Sequence, residues 1–424
     1  MTTATGLYYE PWDPACREDQ FGLYHRLLEE APIYRAPSGA WVVSRYDHVA
    51  ELHRMPDVLS SRPQQEEVFS FPPKTDGLTE ADIAELFTAM TSLPLDLAEL
   101  AVAEVIVGAD DPKHARLRKI VNRGFTRRRL LELTEAMDVV AQEAVAAFPS
   151  GPVDIVTALA TPLPVRMISD MLSLPAERGA DVARWSELVA TLPQLPDRGS
   201  IGSIKALMAM LQEFADCFVP MVDARRAHPL DDLISDLVRA TDDADGEAAL
   251  TSTEAVLFLL VLMVGGNETS ANLIGNAVAM LMQHPDQLEL MLSDDALIPG
   301  AIEEALRFQS PLQFGFRRSL ADVELDGTTI AAGDLVVLQW GAANRDPRRF
   351  ADPDRFDITR TETNLAFGHG SHLCLGAHLA RMEGVAALRA LGPRLRDYTL
   401  DTASLELLPS PLSHGFRAVT LIPR

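Results

Sequence analysis

The stretch Phe367-Gly368-His369-Gly370-Ser371-His372-Leu373-Cys374-Leu375-Gly376-Ala377 places three glycines and a cysteine directly ahead of a helical pattern over residues 377–391. Glycine at that density permits backbone angles closed to other residues and lets a flat ligand approach the main chain. A cysteine at the mouth of a helix lies near unpaired N–H groups and the positive end of the helix dipole, which lowers its pKa and favours the thiolate that binds metal. Cys374 is therefore a candidate soft axial ligand. The same residues admit two other readings: an inert buried cysteine in a glycine-rich turn, or a four-ligand zinc site of His369, His372, Cys374 and His378, whose spacings match no familiar zinc pattern.

Outward from this loop the chain reads as mostly helix. Between residues 112 and 286 apolar positions recur at helical spacing, with breaks expected at Pro152, at Pro162 and Pro164, at residues 193–196, at Pro229 and in the acidic loop 241–247. A further helix ends near Gln309-Ser310-Pro311. Towards the other end a helical stretch over 21–30 precedes a strand-like segment, 40–44, that starts after Ser38-Gly39. Strand-like pieces recur at 323–325 and 335–339, with Asp326-Gly327 as the turn signal between them. Residues 62–111 carry Pro63, Pro72, Pro73, Gly77 and Pro94 and read as an irregular, mobile segment of the kind that covers ligands. With no internal repeat and no linker, the expectation is one mixed, mainly α domain with small β-sheets (α+β).

Composition sets the outer limits. At 47% hydrophobic and 23% charged residues, the chain of 424 residues supports a sizeable core without staples. A net charge of −24 opposes broad contact with nucleic acid or an anionic membrane. Cys16, Cys217 and Cys374 form no CxxC pair, which fits a reducing compartment. The first residues carry Glu10, Asp13, Glu18 and Asp19 rather than an apolar signal, and the longest apolar run, 255–264, falls short of the roughly 20 residues a bilayer requires. A soluble, cytoplasmic protein is expected.

Residues 367–376 have the form Phe-x-x-Gly-x-x-x-Cys-x-Gly and resemble the haem-binding loop of the cytochrome P-450 family. Three further stretches resemble that family in the expected order: Gly265-Gly266-Asn267-Glu268-Thr269, Glu304-Ala305-Leu306-Arg307 and Asn344-Arg345-Asp346-Pro347. The likeness runs from about residue 21 to the C-terminus and is to the soluble bacterial type. It implies a single-domain cytochrome P-450 fold over 1–424, with residues 1–20 as an N-terminal extension, a long central helix over the haem, and the Cys loop, 364–376, beneath it. The implied cofactor is heme b (iron protoporphyrin IX), held non-covalently, with the Cys374 thiolate as proximal metal ligand. A thiolate pushes electron density towards bound dioxygen and favours O–O cleavage, whereas histidine would favour reversible binding.

The resemblance also distributes roles. Gly265 and Gly266 each cost about 1 kcal/mol in mid-helix relative to alanine. Read alone they suggest a packing notch; in the family the locally opened helix makes room for dioxygen, Thr269 holds the proton-delivery chain and Glu268 is its companion acid. Alanine is frequent in the family at the place of Gly265. His114 and Arg118, one helical turn apart, are implied to meet the haem propionates together with Arg317 and His372, and Phe367, Gly368 and Gly376 shape the loop. Ala321 replaces a common arginine. Glu304, Arg307 and Arg355 are implied to form a buried structural trio. By family position Phe87, Met90, Leu262, Gly265, Glu268, Leu312, Phe314, His414 and Phe416 line the substrate cavity, and a helix pair broken over 193–202 serves as its lid.

Residues 113–129 hold eight basic and no acidic side chains, which reads equally as a solvated helix and turn or as a docking face for an acidic electron donor. The resemblance thus implies a monooxygenase that hydroxylates a small or medium hydrophobic substrate with dioxygen and electrons from NAD(P)H. No Gly-x-Gly-x-x-Gly fingerprint or Cys-rich iron–sulfur segment is present, so ferredoxin and ferredoxin reductase are expected as separate partners of a monomer. Two alternatives stay open: a peroxide-driven haem oxygenase, against which the Glu268-Thr269 pair argues, and a non-catalytic haem protein that binds a gas or hydrophobic ligand.

Overall fold

The computed structural model describes residues 6–68, 78–191, 201–239 and 249–424. Its helices are α1 (Gln20–Glu30), α2 (Tyr46–Leu52), α3 (Glu80–Ser92), α4 (Leu97–Ala101), α5 (Lys113–Val121), α6 (Arg127–Ala146), α7 (Pro162–Met171), α8 (Gly179–Thr191), α9 (Ile201–Ala227), α10 (Leu233–Val238), α11 (Ser252–Gln283), α12 (Pro285–Ser293), α13 (Ile298–Phe308), α14 (Trp340–Ala343) and α15 (Ala377–Leu391). The strands are β1 (Ile33–Arg35), β2 (Trp41–Val43), β3 (Leu59–Ser60), β4 (Val153–Asp154), β5 (Gly315–Ser319), β6 (Val323–Leu325), β7 (Thr328–Ile330), β8 (Leu335–Leu338), β9 (Tyr398–Leu400) and β10 (Thr420–Pro423). Helix dominates, as the periodicity predicts. The chain divides into two compact units interleaved in sequence, the first built from Met1–Ser60, Leu130–Arg166 and Thr269–Arg424, the second from Ser61–Arg129 and Met167–Glu268.

Unit 1 contains every described strand. Its five-stranded sheet has the order β1-β2-β8-β5-β3. Val42 and Val43 pair in parallel with Val337 and Leu338, while β5 runs antiparallel to β8 with Gly315 opposite Leu338. The β-branched valines suit a pleated, buried surface, and on one face Val43, Val336 and Leu338 form a core with Val49, Leu52, Leu59, Ile330, Trp340 and Leu365. Leu365 and Trp340 tie that core to the Cys loop and to the turn that precedes it. The hairpin of β6 and β7 closes through Asp326 (φ 47°) and Gly327 (φ 78°). Positive φ at both central residues is the two-residue turn that matches strand twist, as Asp-Gly predicts. In the three-stranded sheet β10 lies between β4 and β9.

Unit 2 is helical throughout its described residues. Its aromatic centre joins α8 to α9: Trp185 meets Phe214 edge-on at 5.3 Å, and Phe214 meets Phe218 at 4.4 Å. The segment 62–111, expected to be irregular, carries α3 and α4, each with a capped start. Thr79 and Asp82 form a reciprocal capping box at the start of α3, and Asp96 accepts from the N–H groups of Ala98 and Glu99 at the start of α4. These caps satisfy the orphan donors of a first turn and outweigh the local proline content; residues 69–77 lie outside the described residues. Pro162 and Pro164, expected as breaks, instead fall in the first turn of α7, where a missing N–H costs nothing. Pro220 lies within α9, and residues 193–200 of the expected lid and the loop 241–247 lie outside the described residues.

Among the described residues α11 is the one helix long and apolar enough to cross a membrane, so the short apolar run read from the sequence understates it. Most of its apolar window, 61%, is buried within the protein, as in a core helix.

Candidate active site

Two left-handed glycines shape the Cys loop. Gly368 has φ 68° and Gly370 φ 73°, angles that side-chain-bearing residues rarely adopt. A Cβ on Gly368 would stand 3.3 Å from the His53 ring, and one on Gly370 would collide with the His53 carbonyl. The loop then makes a short 3₁₀ turn, Gly370–His372, and the Cys374 N–H donates to the Phe367 carbonyl at 3.0 Å. Gly376 caps α15 with φ −82°, so its role is not a left-handed turn. Leu373 and Cys374 are exposed on this otherwise pinned turn, so Cys374 is not the inert buried cysteine of the alternative reading. Arg381 covers the Phe367 ring at 4.5 Å and pairs with Glu303.

The base of the loop is fixed by α13. Arg307 Nε and Nη2 donate to both Glu304 oxygens at 2.8 and 2.7 Å, with both side chains almost wholly buried. Arg307 also donates to the carbonyls of Asn344, Pro353 and Arg355 at 3.0, 2.8 and 3.2 Å. Asn344 in turn accepts from the Leu365 N–H at 2.6 Å and donates to Ser310 Oγ at 2.9 Å. Arg355 corrects the expectation for the trio. Its backbone carbonyl joins the network, but its side chain is 63% exposed and sits 4.0 Å from Asp357. The buried third charge is Arg360, whose Nε lies 3.3 Å from Glu304 Oε1. The reason is the turn at Asp352 (φ 46°), closed by the Arg355 N–H on the Asp352 carbonyl; it sends the Arg355 side chain outward.

Beside the loop lies a pair that sequence reasoning missed. His53, just past α2, is buried; Trp340 stacks on it at 6.0 Å with ring planes 15° apart, and the indole N–H donates to His53 Nε2 at 2.9 Å. Burial holds the His53 pKa well below its ordinary value, with Arg317, His369 and His372 adding to the effect. Arg317, on β5, is buried, and His372 is half-buried on the loop. No local pattern could have revealed His53, because its partners lie more distantly along the chain.

Glu383 and His414, both in unit 1, are buried ionisable groups. Glu383 on α15 is pushed up to about 8 by burial, with the Ser270 hydroxyl of α11 opposing the shift. Ser270 adjoins Thr269. His414, enclosed by Phe21 and Phe416, is pushed down to about 3 by burial and by Arg17 and Arg345. His414 and Phe416 are buried among aromatic rings, and Phe314 packs between Trp12 and Phe316 at 5.5 Å from each. Leu312 is half-buried and bridges Ser413.

On α11, Leu262, Glu268 and Thr269 are half-buried and Gly265 is exposed. The two glycines differ. A Cβ on Gly266 would stand 3.1 Å from Ile168, so Gly266 is a packing notch, whereas one on Gly265 would meet open space. The helix is continuous α-helix from Ser252 to Gln283, so the local opening implied at 265–269 is not a break in it. In unit 2, His114 is buried 3.6 Å from Asp111, and Arg118 is half-buried one turn further along α5. Phe87 on α3 is 65% exposed and Met90 half-buried, the buried member of that helix being Leu86. The basic run 113–129 is not simply a solvated face: Arg116 pairs with Glu254 at 3.1 Å, and Arg129 with Asp231 and Asp236.

Among the described residues no three or more His, Cys, Asp or Glu side chains are grouped to hold a metal ion, which overturns the zinc reading of His369, His372, Cys374 and His378. A haem fits better: it needs one protein sulfur, here exposed on a turn pinned by backbone hydrogen bonds, and basic partners for its carboxylates, of which Arg317 and His372 flank the same turn's neighbour His53.

A helical protein with small sheets and a glycine-shaped Cys loop set on a buried Glu–Arg lock is the architecture of a haem-thiolate enzyme. The model of the Cytochrome P450 family matches residues 183–410. The PikC cytochrome P450 monooxygenase of Streptomyces venezuelae is 36% identical over 414 residues, covering 95% of this chain and 91% of that protein. The vitamin D(3) 25-hydroxylase of Pseudonocardia autotrophica is 41% identical over 286 residues, covering 66% and 68%. The solved structure of CYP109Q5 from Chondromyces apiculatus superposes with a TM-score of 0.83 at 31% identity, covering 98% of both chains. The chain belongs to the cytochrome P450 family and is a monooxygenase whose cofactor is heme b with an axial cysteine.

Proposed function

We propose that this enzyme hydroxylates a small or medium hydrophobic molecule, with Cys374 as the axial ligand and electrons from NAD(P)H delivered by ferredoxin reductase and ferredoxin. The observation that carries the assignment of Cys374 is its exposure on a turn that Gly368, Gly370 and the Cys374 N–H to Phe367 hydrogen bond hold in place. When bound, haem supplies the binding and activation of dioxygen. The protein's share is positioning and protons. The Cys374 sulfur holds the ligand position, and Arg317, His372, His114 and Arg118 supply charge for the haem carboxylates.

Proton delivery falls to α11. Thr269 Oγ1 passes a proton and Glu268 is the acid that resupplies it, a general-acid role that needs a hydroxyl and a carboxyl on one helix. Phe87, Met90, Leu262, Gly265, Leu312, Phe314, His414 and Phe416 are the substrate contacts. Apolar contacts with few polar handles suit a lipid-like substrate, and one relative is named for vitamin D(3). We take the chain as one catalytic domain acting as a cytoplasmic monomer, with residues 62–111 covering the substrate.

The test is the carbon monoxide difference spectrum of the reduced, haem-loaded protein. A red-shifted thiolate-type Soret band that is lost in Cys374→His supports the assignment; an unchanged band in that variant overturns it. Thr269→Ala should uncouple electron consumption from product while sparing turnover with peroxide, and intact coupling would remove Thr269 from proton delivery.

A further inference from the structure

Trp340 fixes the protonation state of its neighbour by hydrogen bonding alone. An indole N–H can only donate, and it donates to His53 Nε2 at 2.9 Å. The Nε2 lone pair is therefore engaged, and the ring proton sits on Nδ1. That Nδ1 is buried and has no hydrogen-bond partner among the described residues. A buried donor left unsatisfied is costly and rare enough to demand an acceptor.

The surroundings specify which acceptor. The charges that act on the ring come from Arg317 on β5 and from His369 and His372 on the Cys loop; Arg54, next in sequence, donates to His369 at 3.1 Å. All are basic. A ring carrying a second proton would add to that positive field and would turn Nε2 into a donor facing the indole donor. A neutral ring offering one N–H is compatible with both constraints, and an anionic oxygen satisfies the donor and the basic groups together. The ring also lies against Gly368 and the His53 carbonyl against Gly370, so it is built into the loop that carries Cys374.

We propose that His53 is a further haem-positioning residue, whose Nδ1–H donates to a haem carboxylate beside Arg317 and His372. This rests on the haem-thiolate reading above. Two substitutions separate donation from packing. Gln at position 53 keeps an acceptor for Trp340 but offers no donor at Nδ1, whereas Asn keeps an N–H near Nδ1 and gives up Trp340.

Both variants are loaded with haem and followed in two ways: the rate of haem transfer to excess apomyoglobin, and the resonance Raman bending band of the haem propionates. His53→Gln is expected to lose haem about tenfold faster or more, the scale of one hydrogen bond to a charged group, and to shift the propionate band. His53→Asn is expected to stay near the wild-type rate and band. Equal behaviour of the two variants, or an unmoved band in His53→Gln with its thiolate spectrum intact, overturns the role of His53 alone. If inorganic phosphate raises the melting temperature of the haem-loaded wild type but not of His53→Gln, the occupant is a free anion and the proposal fails. Absence of haem binding by the wild type overturns this inference and the haem reading together.

Discussion

Glu304 and Glu383 are equally buried glutamates, 2% and 1% exposed, yet their surroundings are opposite. Glu304 meets Arg307, Arg360 and the Asp357 N–H. Glu383 is desolvated, and the group that favours its charged form is the Ser270 hydroxyl. A buried charge is tolerable when every oxygen is satisfied, and otherwise the group takes up a proton instead. The α13 region therefore acts as a fixed joint beneath the Cys loop, while the seam between α15 and α11 carries a carboxyl that titrates near neutrality.

The sharpest break in this contrast is Arg307→Leu. It strands Glu304 and three backbone carbonyls, and is expected to cost roughly 5 kcal/mol and the thiolate spectrum, measured by urea unfolding and carbon monoxide binding. Glu383→Gln should act in the other direction. The native carboxyl titrates near 8 and the unfolded one near 4.5, so the folded state holds the proton more tightly and stability falls as pH rises between those values. Relative to the glutamine variant, the wild type should lose about 1.4 kcal/mol per pH unit across that window, and a pH-independent difference in melting would count against a buried acid.

His414 provides the mirror case. Its pKa is depressed to about 3 from 6.5, so its contribution is present above pH 6.5 and is lost as pH falls towards 3. At pH 5 the wild type should have lost about 2 kcal/mol relative to His414→Phe, read from paired denaturation curves. The smallest effect tests the corrected lock: Arg360→Ala should cost about 1–2 kcal/mol, whereas Arg355→Ala, with its side chain 63% exposed, should stay within about 0.5 kcal/mol.

Local chemistry made much of this molecule readable. The glycines and cysteine of 367–377 mark a loop before a helix, and α15 spans Ala377–Leu391 as its periodicity predicts. Asp326-Gly327 encodes its hairpin by the angles that Gly and Asp tolerate. What escaped was decided by partners far along the chain or by cap geometry. Arg355 and Arg360 are five residues apart in one stretch, and only the turn at Asp352 decides which one reaches Glu304. Arg116 and Arg129 look like free charge until Glu254, Asp231 and Asp236 are found beside them. The capping box at Thr79 and Asp82 was legible in principle, but the nearby prolines masked it.

The parallel pairing of β2 with β8 sets a timetable for biosynthesis. Trp41–Val43 leave the ribosome early, yet Val336–Leu338, the strand they pair with, are made much later. Non-local pairings of this kind close slowly and leave strand edges exposed while they wait. Unit 1 cannot complete its main sheet until the Cys loop is itself about to emerge, so cofactor capture must be among the last events in the birth of the enzyme. A nascent chain stalled before residue 335 should remain open to proteases at β1 and β2 however much haem surrounds it.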